Sequence, residues 1–197
     1  MRNPPRLATY VTLLLTACAQ HVEPPVAAPV PGAFGPSACY TTTVAPKNAM
    51  ATITFYGYPD NTPPGKAIAH PVIHQRAGGA GTYCNPTTFA TEKSNDATIP
   101  YGTKIYVPFI KKYFVREDLC AASGPPVGSG SNGCYKLWFD LWIGGNSHSN
   151  VKALVDCERR LTPNGAVRVI LDPGPNLPVD NPGAIYRNRP RPKGTCN

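Results

Sequence analysis

The chain has 197 residues, of which 24 are Pro and 18 are Gly, about a fifth of the total where roughly 12% is usual. Proline at this density excludes an all-helical bundle, because each Pro removes a helix hydrogen bond and clashes with the preceding turn. Only 15% of residues are charged, yet the balance is +8, and a hydrophobic content of 42% excludes wholesale disorder.

The chain opens with a short basic stretch containing Arg2 and Arg6, followed by the apolar run Leu7–Ala17. That run is too short to span a bilayer but suits the core of a signal peptide. It ends Leu15-Thr16-Ala17-Cys18, which resembles a bacterial lipobox. The resemblance implies cleavage before Cys18, lipid attachment at Cys18, and a bacterial cell-envelope location, lipid-anchored or secreted. Loss of residues 1–17 would lower the charge from +8 to +6. Residues 18–49, with six prolines, read as a stiff extended tether, and residues 50–197 as the folded domain.

Within that domain Thr52–Tyr56 alternates like a half-buried strand. Residues 57–81 carry turn signals, Pro59-Asp60-Asn61 and Pro63-Pro64-Gly65. Strands follow at 104–108 and 112–116, the latter ending at Glu117-Asp118. Residues 121–133 form a Gly/Ser-rich loop. Residues 135–143 are the clearest strand: Leu137, Phe139, Leu141 and Ile143 share one face, and Trp138, Asp140 and Trp142 the other. A helix is predicted with Ser147 or Ser149 as its cap and Val151, Leu154 and Val155 on its apolar face. Val167–Leu171 is a further strand. Short strands with Pro/Gly turns and one helix predict a small, mainly β barrel.

With Cys18 set apart, Cys39, Cys84, Cys120, Cys134, Cys157 and Cys196 remain, an even set that predicts three disulfides with fifteen possible pairings. A Cys120–Cys134 bridge would pin the 121–133 loop. No Cys-x-x-Cys spacing occurs and the four His do not interleave with the Cys, so neither a metal nor another cofactor is expected. His70 and His74, with Pro71 between them, read as loop histidines. The basic tail, Arg187 to Lys193, reads as a solvated end rather than a nucleic-acid site, and the domain as a monomer.

The candidate chemistry lies in Asp96, Asp118 and Asp140. Burial of Asp140 beside Trp138 and Trp142 would raise its carboxyl toward neutrality, as a general acid for glycosidic cleavage requires. Asp118 or Asp96 would then assist as base or electrostatic stabiliser. Trp138, Trp142 and Tyr56 would offer faces for sugar rings. The competing expectation is structural: strand-end Asp residues cap turn amides, and both Trp side chains suit a core.

The series Asp96-Ala97-Thr98-Ile99-Pro100-Tyr101-Gly102-Thr103, Glu117-Asp118 and Phe139-Asp140-Leu141-Trp142 resembles the double-psi β-barrel superfamily. That superfamily includes rare lipoprotein A and three-aspartate lytic transglycosylases. The resemblance implies a six-stranded double-psi barrel with one or two short helices. It also makes Asp140 the catalytic acid of the cleaving members, with Asp118 matching the Asp that ends the preceding strand. A longer series, adding Tyr83–Thr91, Lys104–Cys120, Cys157, Leu177–Asp180 and Cys196, resembles the Streptomyces papain inhibitor and its relatives over roughly residues 51–196. It implies a non-catalytic binding module that blocks papain-like cysteine proteases. In this chain Phe139 stands where those relatives have a His beside the Asp. Inhibition is therefore the first expected function, with cleavage of peptidoglycan or another polysaccharide, and glycan binding without cleavage, as the alternatives.

Overall fold

In a computed structural model the described residues are 39, 43–61, 63–120, 137–188 and 195–196, all within the unit Ala33–Asn197. The signal-peptide segment, Cys18, most of the tether, the 121–133 loop and Cys134 lie outside them.

Six strands close into a barrel: β1 (Lys47–Tyr56), β2 (Thr87–Thr91), β3 (Lys104–Val107), β4 (Lys112–Leu119), β5 (Trp138–Trp142) and β6 (Val167–Leu171). One helix, α1 (Val151–Leu161), joins β5 to β6, and single 3₁₀ turns occupy Lys93–Asn95 and Pro108–Ile110. A separate two-stranded ribbon pairs β7 (Tyr186–Arg187) with β8 (Thr195–Cys196). The barrel order is β1-β5-β2-β4-β3-β6, returning to β1. Two of the pairs are parallel, β1 with β5 and β2 with β4, and the others antiparallel. The mainly β, six-stranded barrel with one helix and disulfides is thus as expected, and its interleaved order is compatible with a double-psi arrangement.

Alternation sets the two faces of each strand. Ile53, Phe89, Ile105, Phe114, Phe139, Leu141 and Val169 fill the interior, and the Phe89 and Phe139 rings meet edge to face at 5.1 Å. β1 is longer than its apolar alternation suggests. Lys47–Ala51 pair antiparallel with β6 before Thr52–Tyr56 turn to pair parallel with β5. The sequence pattern missed β2, because Thr87-Thr88-Phe89-Ala90-Thr91 has no alternation. Its central place between β4 and β5 buries all five residues.

α1 is capped by Asn150, whose side chain accepts from the Ala153 N–H at 3.0 Å, rather than by the expected serines. Its buried stripe is Leu154, Cys157 and Glu158, while Val151 is exposed. The stripe is turned this way in part because Cys157 is bonded to Cys196. Cys39 pairs with Cys84, and Cys120 is also disulfide-bonded. A tyrosine cluster tethers the segment after β6. Tyr106 donates to the Pro178 carbonyl at 2.6 Å, and Tyr113 donates to Gly174 at 2.7 Å and accepts from the Leu177 N–H at 2.8 Å.

Candidate functional site

The outer face of the barrel carries a row of residues set by strand register. Thr54 of β1 lies beside Asp140 of β5, Asp140 beside Ala90 of β2, and Ala90 beside Asp118 of β4. Asp118 and Asp140 are therefore two strands apart, about 10 Å by strand spacing, and the Tyr56 side chain reaches across from β1 to Asp118.

Asp140 is half-buried. The Thr54 hydroxyl donates to its Oδ1 at 2.7 Å, and the Trp138 indole N–H donates to Thr54 Oγ1 at 2.6 Å. The indole occupies a lone pair on the hydroxyl oxygen and so directs the hydroxyl proton at the carboxyl. Burial pushes the Asp140 carboxyl up to about 7; the Thr54 hydrogen bond opposes the shift, and the charges of Asp60 and Asp118 add to it. At neutral pH the group is divided between acid and carboxylate, the state a proton donor requires.

Behind it lie two carboxyls that the sequence reading did not single out. Glu158 of α1, 8% exposed, interacts with Asp60 on the turn after β1. Burial, together with the charges of Asp60 and Asp140, pushes Glu158 up to about 9. The signal available in the sequence was its spacing: Glu158 stands four residues after Leu154, on the stripe that packs against the barrel.

Asp118 differs in character. Its Oδ1 accepts the Ala69 and Leu119 N–H groups at 3.0 and 2.9 Å, and its Oδ2 accepts the Tyr56 hydroxyl at 2.8 Å. Burial raises its carboxyl while these bonds hold it down. It clamps the covering loop, the structural role weighed for strand-end Asp. Glu117 does the same more completely. It is fully buried, and its Oε1 accepts the N–H groups of Val72, Ile73 and His74 at 3.3, 2.5 and 2.7 Å. Its Oε2 meets His74 Nδ1 at 2.7 Å and the Thr88 hydroxyl at 3.0 Å. Asp96 is engaged elsewhere, by an ion pair at 2.5 Å with the fully buried Arg116, whose guanidinium also donates to the Ile99 carbonyl.

Trp138, Trp142 and Tyr56 are only 5, 3 and 8% exposed. Trp142 packs edge to face on Tyr56 at 5.2 Å, under Ala77, Tyr58 and Ile68. These rings are wall rather than the open stacking faces anticipated for them. Among the described residues no group of His, Cys, Asp and Glu could hold a metal ion.

The family model of the DDB_G0273701 N-terminal domain matches residues 48–197, which takes in all six barrel strands but for Lys47 at the start of β1, and the chain belongs to that family. It is 38% identical over 148 residues, 75% of its length, to "Uncharacterized protein DDB_G0273701/DDB_G0273221" of Dictyostelium discoideum, and spans 61% of that relative. No solved structure matches the chain. The expected bacterial cell-envelope location is corrected by these relationships. Family and relative come from a eukaryote with no bacterial envelope, so the lipobox-like Leu15–Cys18 segment does not place this chain on a bacterial membrane.

Proposed function

We propose that the barrel acts on a polysaccharide, cleaving a glycosidic bond with Asp140 as the proton donor. The observation that supports this reading is the half-buried Asp140 carboxyl, pushed up to about 7 and oriented by the Thr54–Trp138 relay. A carboxyl of that kind is what protonation of a glycosidic oxygen demands at neutral pH. Asp60 and Asp118, whose charges act on Asp140, supply the negative field that would stabilise a cationic transition state. The test is digestion of a panel containing purified sacculi and soluble polysaccharides, with new reducing ends and released muropeptides as readouts. Wild type releases products and Asp140→Asn does not. Equal release by both, or none from any substrate, refutes the assignment.

A second reading is a non-catalytic binding module that inhibits a papain-like cysteine protease, the activity implied by the longer sequence resemblance. The burial of Trp138, Trp142 and Tyr56 favours it, because it leaves no open aromatic platform beside the acid. A closed barrel with a disulfide-held edge at Cys39–Cys84 would present its loops at low entropic cost. Inhibition of papain at micromolar concentration, unchanged in Asp140→Asn, would establish this reading in place of the first.

A further inference from the structure

A cleft of about 420 Å³ opens between the loop before β2, the turn after β5 and the segment around β7, within the size range of small-molecule sites. Trp142 lines it, two residues along the same face of β5 from Asp140. The polar groups around it share one property. Lys66 and Arg187 both line it and both are exposed. Arg187 is braced by the Pro182 carbonyl, 3.1 Å from its Nη2, and the Ala184 carbonyl, 3.5 Å from its Nε. Asn146 spends its amide oxygen on the His148 N–H at 2.9 Å, and Asn188 spends its own on the Ser149 hydroxyl at 2.8 Å. Each carboxamide is thereby left to offer its NH₂. No carboxylate is found among the described residues of the lining.

Thr87 also lines the cleft, but it is 3% exposed and its hydroxyl lies beneath the surface, with no hydrogen-bond partner among the described residues. Gly79 keeps the neighbouring wall bare. Its φ is +108°, and a Cβ there would stand 2.0 Å from the Pro86 carbonyl oxygen.

We infer that this cleft binds a carboxylate-bearing sugar unit, so that the polysaccharide acted on is an acidic one. The inference rests on the Asp140 reading for the polymer, and on the cleft alone for the charge. Lys66 and Arg187 meet the carboxylate by charge-assisted hydrogen bonds. The two carboxamides meet ring hydroxyls.

The test is calorimetric titration of the purified chain, wild type and Asp140→Asn, with an oligogalacturonate, with its methyl ester and with inorganic phosphate. The acidic oligosaccharide binds about tenfold or more tightly than the ester, and Lys66→Ala/Arg187→Ala abolishes that preference. Equal binding of acid and ester, a charge preference that survives in the double variant, or displacement by equimolar phosphate overturns the inference. Binding with this preference but no cleavage of any substrate refutes the Asp140 reading alone. Cleavage with no charge preference refutes the cleft assignment alone.

Discussion

Burial sets the Asp140 carboxyl high, and two neighbours then act on it in opposite directions. The Thr54 hydroxyl stabilises the carboxylate, and the Asp60 charge destabilises it. Asp60→Asn therefore lowers the Asp140 pKa and Thr54→Val raises it, both readable from carboxyl ¹³C shifts in an NMR titration without any substrate. No shift in either variant would show that Asp140 is set by burial alone. Thr54→Val also strands the Trp138 indole N–H, 5% exposed, and costs about 1–3 kcal/mol of stability, measured by urea unfolding. Of this arrangement the sequence showed Asp140 and its flanking Trp residues, since alternation alone puts 138, 140 and 142 on one face. It did not show Thr54, Asp60 or Glu158, because these reach Asp140 only through the parallel β1–β5 register and the docking of α1, both long-range events. Nor could a local pattern separate Asp118 from Asp140. Both are acidic residues on strands, and only the covering loop, folded back from 57–81, turns Asp118 into a clamp.

That loop is the element whose stability the barrel controls most directly. It has little regular structure, and Glu117 gathers the Val72, Ile73 and His74 amides onto one carboxyl oxygen. Glu117→Gln replaces an acceptor of several N–H groups by a half-donor and removes the carboxylate that meets His74 Nδ1. It should cost about 3–5 kcal/mol, as breaking a buried ion pair does. The loss is regional: hydrogen exchange at 72–74 accelerates, while Ile53 and Phe139 in the barrel keep their protection. Equal loss at all these sites would show that the loop and barrel form one cooperative unit and that Glu117 is not a local clamp. The loop was legible as a loop from its Pro and Gly turns, and His70 and His74 as loop residues. Its anchoring was not, because Glu117 sits at an irregularity in the β2–β4 pairing, where the register shifts between Phe89 and Ala90. The same shift, with two-sided burial, hid β2.

For the domain as a unit, covalent closure and proton binding set the limits of stability. The Cys39–Cys84 and Cys157–Cys196 bridges span 45 and 39 residues, and chain-entropy arguments assign loops of that length about 4 kcal/mol each. Reduction should lower the melting temperature by well over 10 °C at roughly 2–4 °C per kcal/mol; an unchanged melting temperature would show that the barrel core suffices. Bridges of this kind persist in oxidising surroundings, which is as far as the cysteines locate the protein once the bacterial envelope is set aside.

The pH dependence runs opposite to that of a domain stabilised by ionised acids. Asp140 is raised to about 7 from 3.8 and Glu158 to about 9 from 4.5. His74 is raised above 6.5: burial pulls it down, but the hydrogen bonds to Glu117 and Asn85 and the Glu117 charge outweigh that. In all three groups the folded form holds its proton more tightly than the unfolded chain. Their contribution is complete below the unfolded values and is lost as pH rises through the folded ones. Stability from these groups therefore falls from about pH 4 upward, through the carboxyls first and His74 above 6.5. The urea midpoint at pH 8.5 should lie below that at pH 5, and Glu158→Gln, which keeps the shape without the ionisation, should flatten the alkaline part of the decline. A midpoint that rises with pH, or an unchanged slope in Glu158→Gln, would mean that the carboxyls beside Asp140 ionise freely in the folded domain. Asp140 would then lack the protonated population at neutral pH on which its proposed role as an acid depends.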